Sequence, residues 1–282
     1  MKVVILSDLH LGLRAAPNPA ELLAALEGAH EVILNGDAAE SASSAFGARG
    51  EDFLAELRER LARVSTTVLR IEGNHDPATG ELSALRANGR VLITHGHAFH
   101  PAIAPWSAAA HHVAAEFARA YQAAEGCAEL ERTLLAARAA ALAERGFDSA
   151  ASPFTVLRRM AARPWVFPVV IGYWRMFPEL SARFLERAGA AAQEQAEPIP
   201  QAIVAGHSHR AGAWLVRGKL VLNTGSFTFP GQPHVVTVSD DSISLTPLTR
   251  VAGEWRQDAS ARRTWVIDEI ARSTAAPSIP VS

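Results

Sequence analysis

Five short apolar runs in this 282-residue chain stop at side chains able to hold a metal ion. Val3–Leu6 runs into Ser7-Asp8-Leu9-His10, and Val32-Ile33-Leu34 into Asn35-Gly36-Asp37. Thr67–Ile71 leads to Gly73-Asn74-His75-Asp76, residues 91–94 to His95-Gly96-His97, and Ile203-Val204-Ala205 to Gly206-His207-Ser208-His209. The donors are carboxylate, amide and imidazole, with no sulfur. That set suits Mn²⁺, Fe or Zn²⁺, whereas Mg²⁺ prefers fewer imidazoles. In extended backbone, residues i and i+2 face the same side, so Asp8 with His10, and His207 with His209, could each grip one ion. The glycines at 36, 73, 96 and 206 allow sharp turns beside a ligand. A single His-x-His is more often a satisfied surface or core pair. Five such ends in one chain argue against coincidence.

These side chains need strands to carry them. A β-branched run that halts at Gly-Asn or Gly-Asp reads as a buried strand ending in a tight turn. Open α/β sheets bind ligands just there, outside the carboxyl ends of their strands. Between the runs, residues 19–27 and 52–64 have helical spacing, and a short helix is expected near 81–87. Alternation of this kind implies βαβ units and a largely parallel sheet. Beyond residue 202, the runs at 213–217, 220–223, 235–238 and 243–246 read as antiparallel strands of a second sheet. Asn223-Thr224-Gly225-Ser226-Phe227 is expected to loop back toward the site. Periodicity fades over 251–282, and the Ser/Thr/Pro-rich 273–282 reads as a loosely held tail.

Composition bounds the function. A chain with 49% hydrophobic residues can bury a large core. A formal net charge of −2 gives no global basic field, which speaks against nucleic acid as partner. Cys127 stands alone, excluding an internal disulfide framework and thiolate metal clusters. Only Lys2 and Lys219 of the 27 basic residues are lysines, which reflects an Ala- and Arg-rich composition. Met1-Lys2 runs straight into the first strand, and no apolar run has the length of a membrane span. A cytoplasmic protein is expected, with peripheral contact at the inner membrane surface as an option.

The ordered series Asp8-x-His10, Gly36-Asp37, Gly73-Asn74-His75-Asp76, His95-Gly96, Gly206-His207-x-His209 resembles the calcineurin-like metallophosphoesterase superfamily over residues 1–97 and about 202–246. The resemblance implies an α/β fold, a four-layer α-β-β-α sandwich, around a two-metal site. It places Asp8, His10 and His209 on one divalent ion, most simply Mn²⁺, and Asn74, His95 and His207 on the other. Asp37 would bridge both, and His75 would assist the reaction at the phosphate. Glu40, three positions after Asp37, matches a variant found in one branch, its role left open. Two ions roughly 3.5–4 Å apart can share one hydroxide nucleophile and neutralise phosphate oxygens. His75 could donate a proton or stabilise charge at the leaving group. Asp76 either orients His75 or caps the next turn, the cap being the simpler reading.

Residues 98–200 separate the two halves of the site and read as a helical cap inserted into a domain of residues 1–250. Helices are expected at 108–124, 128–144, 154–162 and 180–192, with Pro153 in a helix's first turn. Residues 163–178 pack five aromatics and a methionine among three prolines. Pro153 to Gly189 carries six arginines against Glu179 and Glu186, a local +4 in a net-negative chain. Arginine beside apolar surface fits an anionic lipid or lipid-linked substrate, while the plainer reading is the cap's own core with a solvated arginine face. The expected substrate contacts are Arg158, Arg159, Arg163, Trp165, Trp174 and His97. This region, with Ser7-Asp8-Leu9-His10-Leu11-Gly12, Gly36-Asp37 and Glu40, is similar to the UDP-2,3-diacylglucosamine hydrolases, which implies a pyrophosphate-cleaving enzyme. One position departs: His75 stands where that branch carries Arg, and matches the general phosphodiesterase pattern. The functional expectation is a two-metal phosphodiesterase or pyrophosphatase acting on a nucleotide- or lipid-linked substrate. The alternatives are a phosphomonoesterase of small substrates and, from another class, a non-catalytic metal-binding scaffold.

Overall fold

The computed structural model describes residues 1–144, 166–194, 198–228 and 231–272. In chain order the strands are β1 (Val3–Leu6), β2 (Glu31–Asn35), β3 (Thr67–Ile71), β4 (Ala84–Arg86), β5 (Val91–Ile93), β6 (Ala202–Ala205), β7 (Gly212–Val216), β8 (Lys219–Asn223), β9 (His234–Val238), β10 (Ser242–Val251), β11 (Glu254–Gln257) and β12 (Arg263–Val266). The helices are α1 (Pro19–Leu22), α2 (Gly47–Ala62), α3 (Ala110–Ala123), α4 (Glu129–Glu144), α5 (Val166–Glu194) and α6 (Ile267–Arg272).

The strands form two sheets. One runs β11-β10-β9-β1-β2-β3, with β12 also on β10; the other runs β4-β5-β6-β8-β7. Alternation along each strand decides what lies on either side. Val3 and Ile5 face Val91, Ile93, Val204 and Leu222 between the sheets. Val4 and Leu6 face outward to Leu22, Leu54, Leu57 and Leu61 of α1 and α2. On the second sheet Leu92, Ile203 and Val221 face outward to Leu134 of α4 and to Tyr173, Phe177 and Leu185 of α5. The result is an α-β-β-α sandwich. A side chain such as Ile5 or Leu92 gains about 1.5–3 kcal/mol on burial. A one-residue slip would put each strand's apolar set on the wrong face, so the register is firmly specified.

Several expectations change here. β1, β2 and β3 are parallel neighbours, but β5 belongs to the other sheet, where it is parallel to β6. Residues 84–86 form a strand antiparallel to β5, not a helix. The turn between them has Ala87, Asn88 and Gly89 all at positive φ, so the Asn-Gly pair was the hairpin signal. β9 and β10 complete the first sheet, leaving only β7 and β8 of that group in the second. Residues 251–272 are ordered as β11, β12 and α6, while 273–282 lie outside the described residues. Helix α2 starts at Gly47, earlier than the expected 52, and Gly50 lets its backbone lie against the Leu11 carbonyl, where a Cβ would collide.

The helices of 98–200 do more than cover the site. α4 and α5 are themselves the outer layer of the second sheet, and α3 packs on α4 through Val113, Ala140 and Ala141. The expected helix at 154–162 falls outside the described residues. The aromatic stretch is helical from Val166 and continuous with the expected 180–192 helix. Pro168 sits in the first turn of α5, where a missing N–H costs nothing. Pro178 lies inside it and deprives the Trp174 carbonyl of its helical donor.

Candidate metal centre

The carboxyl ends of the parallel strands from both sheets meet at one edge. Asn35, fully buried at the end of β2, donates from Nδ2 to the carbonyls of Thr94 (3.1 Å) and Val204 (3.2 Å), tying β2 to β5 and β6. Asp8 N donates to the Gly36 carbonyl, and Gly206 N to that of His95. The 223–227 loop reaches the same place: Phe227 N and Ser226 Oγ donate to the Asp8 carbonyl, and the Thr224 and Ser7 hydroxyls are 2.5 Å apart. That loop braces the turn after β1.

Five of the seven expected ligands have left-handed backbone: Asp8 (φ 52°), His10 (50°), Asp37 (49°), His207 (63°) and His209 (58°). This corrects the extended i, i+2 reading. Each side chain is aimed by its own strained turn, and such strain collects at functional sites because surrounding structure can hold it. It also separates His207 from His209, which face different groups. Gly73 and Gly206 are needed for close approach. A Cβ at 73 would strike the Asp37 carboxylate, and one at 206 the Asp8 carboxylate and the Ser7 hydroxyl.

Asp8, His10 and His209 come together: the Nε2 atoms of His10 and His209 are 3.3 Å apart, and His209 Nε2 is 3.2 Å from Asp8 Oδ1. Asp8, Asp37 and His95 also converge, with His95 Nε2 3.2 Å from Asp37 Oδ2. His207 Nδ1 lies 2.9 Å from Asn74 Oδ1, and the His207 and His95 rings are 5.3 Å apart. Asp37 thus stands between the two groups, and its Oδ1 accepts from His75 N at 2.8 Å.

The hydrogen bonds behind these rings test whether metal ions fit. His10 Nδ1 is 2.7 Å from Glu40 Oε1, His95 Nδ1 is 2.9 Å from the Asn35 carbonyl, and His207 Nε2 is 3.1 Å from the Ile103 carbonyl. Each partner is an acceptor, so a hydrogen on the outer nitrogen satisfies it, and the inner nitrogen faces the centre, available to a cation once any proton there is displaced. That is the arrangement that prepares imidazoles for metal ligation. The residues fit a pair of divalent ions.

Charge at the site is strongly coupled. Burial pushes Asp37 and Asp8 up, but His95 and its neighbours outweigh that and hold both below the usual carboxylate range. Burial pushes His95 down, yet Asp37 and Asp8 raise it to about 9. His207 is lowered to about 4 by burial and by the like charge of His95. Glu40 is held far below its usual range: burial raises it, but His75 and His10 lower it more.

Glu40 is the residue whose sequence context left its role undefined. It sits between His10 and His75, with Oε2 3.1 Å from His75 Nδ1, and so fixes the two rings together. His75 stands edge-on to His10 at 4.9 Å, with its side chain 37% exposed on the open side of the centre. Asp76 holds backbone amides. It accepts from the backbone N–H groups of Gly73 (2.7 Å), Asp37 (3.0 Å) and Ala38 (2.9 Å), bracing two ligand turns, and is paired with Arg70. Arg70, Ile103 and Trp106 were not singled out by sequence. Trp106 stacks against His207 at 6.4 Å, and no spacing rule foretells that contact.

The expected substrate contacts divide. Arg158, Arg159, Arg163 and Trp165 lie outside the described residues. His97 is buried between His95 and His207, with neither ring nitrogen bonded among the described residues, and burial holds its pKa well below normal. Trp174 donates its indole N–H to the Ser208 carbonyl at 2.8 Å. The Trp174 carbonyl, freed by Pro178, accepts from Arg210 at 3.5 Å.

No protein-family model and no curated protein matches the chain. Among solved structures it is similar to a predicted phosphoesterase from Streptococcus pneumoniae TIGR4 (15% identity, 94% of this chain and 97% of that one, TM-score 0.41). It is also similar to Vps29 from Entamoeba histolytica, solved with zinc (15%, 95% and 99%, 0.42). A third is Yfce, a phosphoesterase from E. coli (15%, 86% and 91%, 0.41). The chain's own features define the fold: an α-β-β-α sandwich whose parallel strands bring carboxylate, amide and imidazole groups to one edge.

Proposed function

We propose that the protein is a metal-dependent phosphoester hydrolase. The observation that carries this reading is Asp37: buried, it lies 3.2 Å from His95 and gathers with Asp8, a member of the Asp8-His10-His209 group, while the partly exposed His75 donates its backbone N–H to it. Divalent ions held there would supply an activated water and positive charge against the phosphate oxygens. The protein's own groups do the rest. Asp37 fixes the His75 backbone, Glu40 orients the His75 ring by its Nδ1, and the ring, partly exposed beside the centre, would meet a leaving-group oxygen as proton donor. The buried carboxylates favour cations at the bridging position.

Within this class a lipid-linked diester or pyrophosphate, as in the UDP-2,3-diacylglucosamine hydrolases, is supported by α5. Its first half displays Phe167, Val169, Ile171 and Met176 to solvent, and Trp174 ties it to the loop carrying His207 and His209. The test is hydrolysis, with Mn²⁺, of chromogenic mono- and diesters beside a panel of acylated and deacylated sugar-nucleotide pyrophosphates. Diester or pyrophosphate turnover abolished by chelation supports the reading. Stoichiometric metal with no turnover of any ester would favour the scaffold instead.

A further inference from the structure

We infer that the helical insertion is a positioning device for the ion ligands, acting through Ile103 and Trp174; this deepens the two-ion reading and rests on it. Ile103 belongs to the segment joining β5 to α3. It is a β-branched residue at φ 54°, a conformation that such side chains avoid. Its side chain is fully buried against Ala109 and Val113 at the start of α3 and Ala140 and Ala141 of α4. Its amide donates to the His100 carbonyl at 2.8 Å, closing a tight turn. The outcome of that strain is a carbonyl aimed at His207 Nε2, 3.1 Å away. With the outer nitrogen committed to this acceptor, Nδ1 is the one presented beside Asn74. Trp106, three residues on, stacks on the same ring with an interplanar angle of 27°, so both ring plane and tautomer are set from the insertion.

Trp174 acts on the neighbouring peptide from another side. Its indole N–H holds the Ser208 carbonyl, and its own carbonyl, without a helical donor because of Pro178, takes the Arg210 guanidinium. The loop between His207 and His209 is therefore held to α5 at Ser208 and Arg210. Both ligands have left-handed backbone, so the loop needs external contacts to stay in place. Ile103 acts on His207 alone, whereas Trp174 acts on the peptide between the two ligands.

The inference predicts different effects for two variants. Ile103→Gly removes the anchor while tolerating positive φ; Trp174→Phe keeps an aromatic ring but loses the N–H. Calorimetric titration of the chelator-treated protein with Zn²⁺ alone should show two sites. Ile103→Gly should weaken the one that includes His207 by about 10- to 100-fold, the usual consequence of losing a partner behind a metal ligand, and spare the other. Trp174→Phe should weaken both. In the Zn²⁺-loaded wild type, the His207 Nε2–H should be a slowly exchanging NMR signal, and Ile103→Gly should lose it. Wild-type affinity at both sites in both variants, or a freely exchanging Nε2–H in the wild type, overturns the inference even where Zn²⁺ binds normally. If the wild type takes up no Zn²⁺ at all, the two-ion reading falls and this inference with it.

Discussion

The Nε2 atoms of His10 and His209, 199 residues apart in sequence, stand 3.3 Å from each other. With its hydrogen held on Nδ1 by Glu40, His10 presents a lone pair there, and His209 Nε2 faces the Asp8 carboxylate at the same point. Nitrogens so placed are stable neighbours when a cation lies between them.

Asp37 offers the sharpest test of the two-group arrangement. Asp37→Asn keeps the shape but removes the negative charge that faces both groups and pairs with His95. Bound metal measured by atomic emission should fall at both sites, with activity down at least about 100-fold. Full occupancy and activity in the variant would remove Asp37 from the bridging role.

Glu40 should behave as a link between two side chains. Glu40→Ala should lower turnover by about 10- to 100-fold and weaken the ion held by His10. His75→Ala in the same background should add little, giving a coupling of roughly 0.5–3 kcal/mol in a double-mutant cycle on kcat/KM. Strict additivity would separate the two residues.

His75→Ala by itself should reduce kcat with both ions still bound. The loss should be small for nitrophenyl esters, whose leaving group needs no proton, and larger for alkyl esters. Equal losses for both would assign His75 to phosphate binding.

The ion-free protein should lose stability as pH rises. Asp37 and Asp8 raise His95 to about 9 from an ordinary 6.5, so its charged form is favoured by folding. That contribution is complete below about 6.5 and is lost as pH climbs through about 9. Thermal melts of chelator-treated protein should show Tm falling across this window, and Zn²⁺ binding at pH 7.5 should release a proton. A Tm independent of pH between 6.5 and 9 would show that the Asp37–His95 pairing contributes nothing.

The aromatic segment should split into two kinds of residue. Tyr173 and Phe177 are buried in the outer core of the second sheet, so Phe177→Ala should cost about 3–5 kcal/mol in urea unfolding. Phe167 and Met176 are 57% and 50% exposed, and Phe167→Ser with Met176→Ser should leave stability within about 1 kcal/mol. If the substrate is acylated, that pair should raise its KM and leave small diesters unchanged. An unchanged KM for acylated substrates would discard this face as the acyl site.

The sequence by itself determined the strand ends and the donor types that gather at them. Gly-Asp, Gly-Asn-His and Gly-His-x-His after β-branched runs are local signals, and strand, turn and donor type are all read within a few residues. It could not say which sheet each strand joins. Val91-Leu92-Ile93 is apolar on both faces, and its membership is decided by pairing with β6, more than a hundred residues later. Nor could it give Glu40 two partners, put the Asp76 carboxylate on the backbone of Asp37, or place the Ile103 carbonyl on His207. Those contacts join residues 30 to 104 positions apart, and only the packing of the two sheets and the insertion brings them together. The left-handed ligand turns were equally hidden, because Asp and His carry no local preference strong enough to reveal them; tertiary contacts impose that strain and hold it.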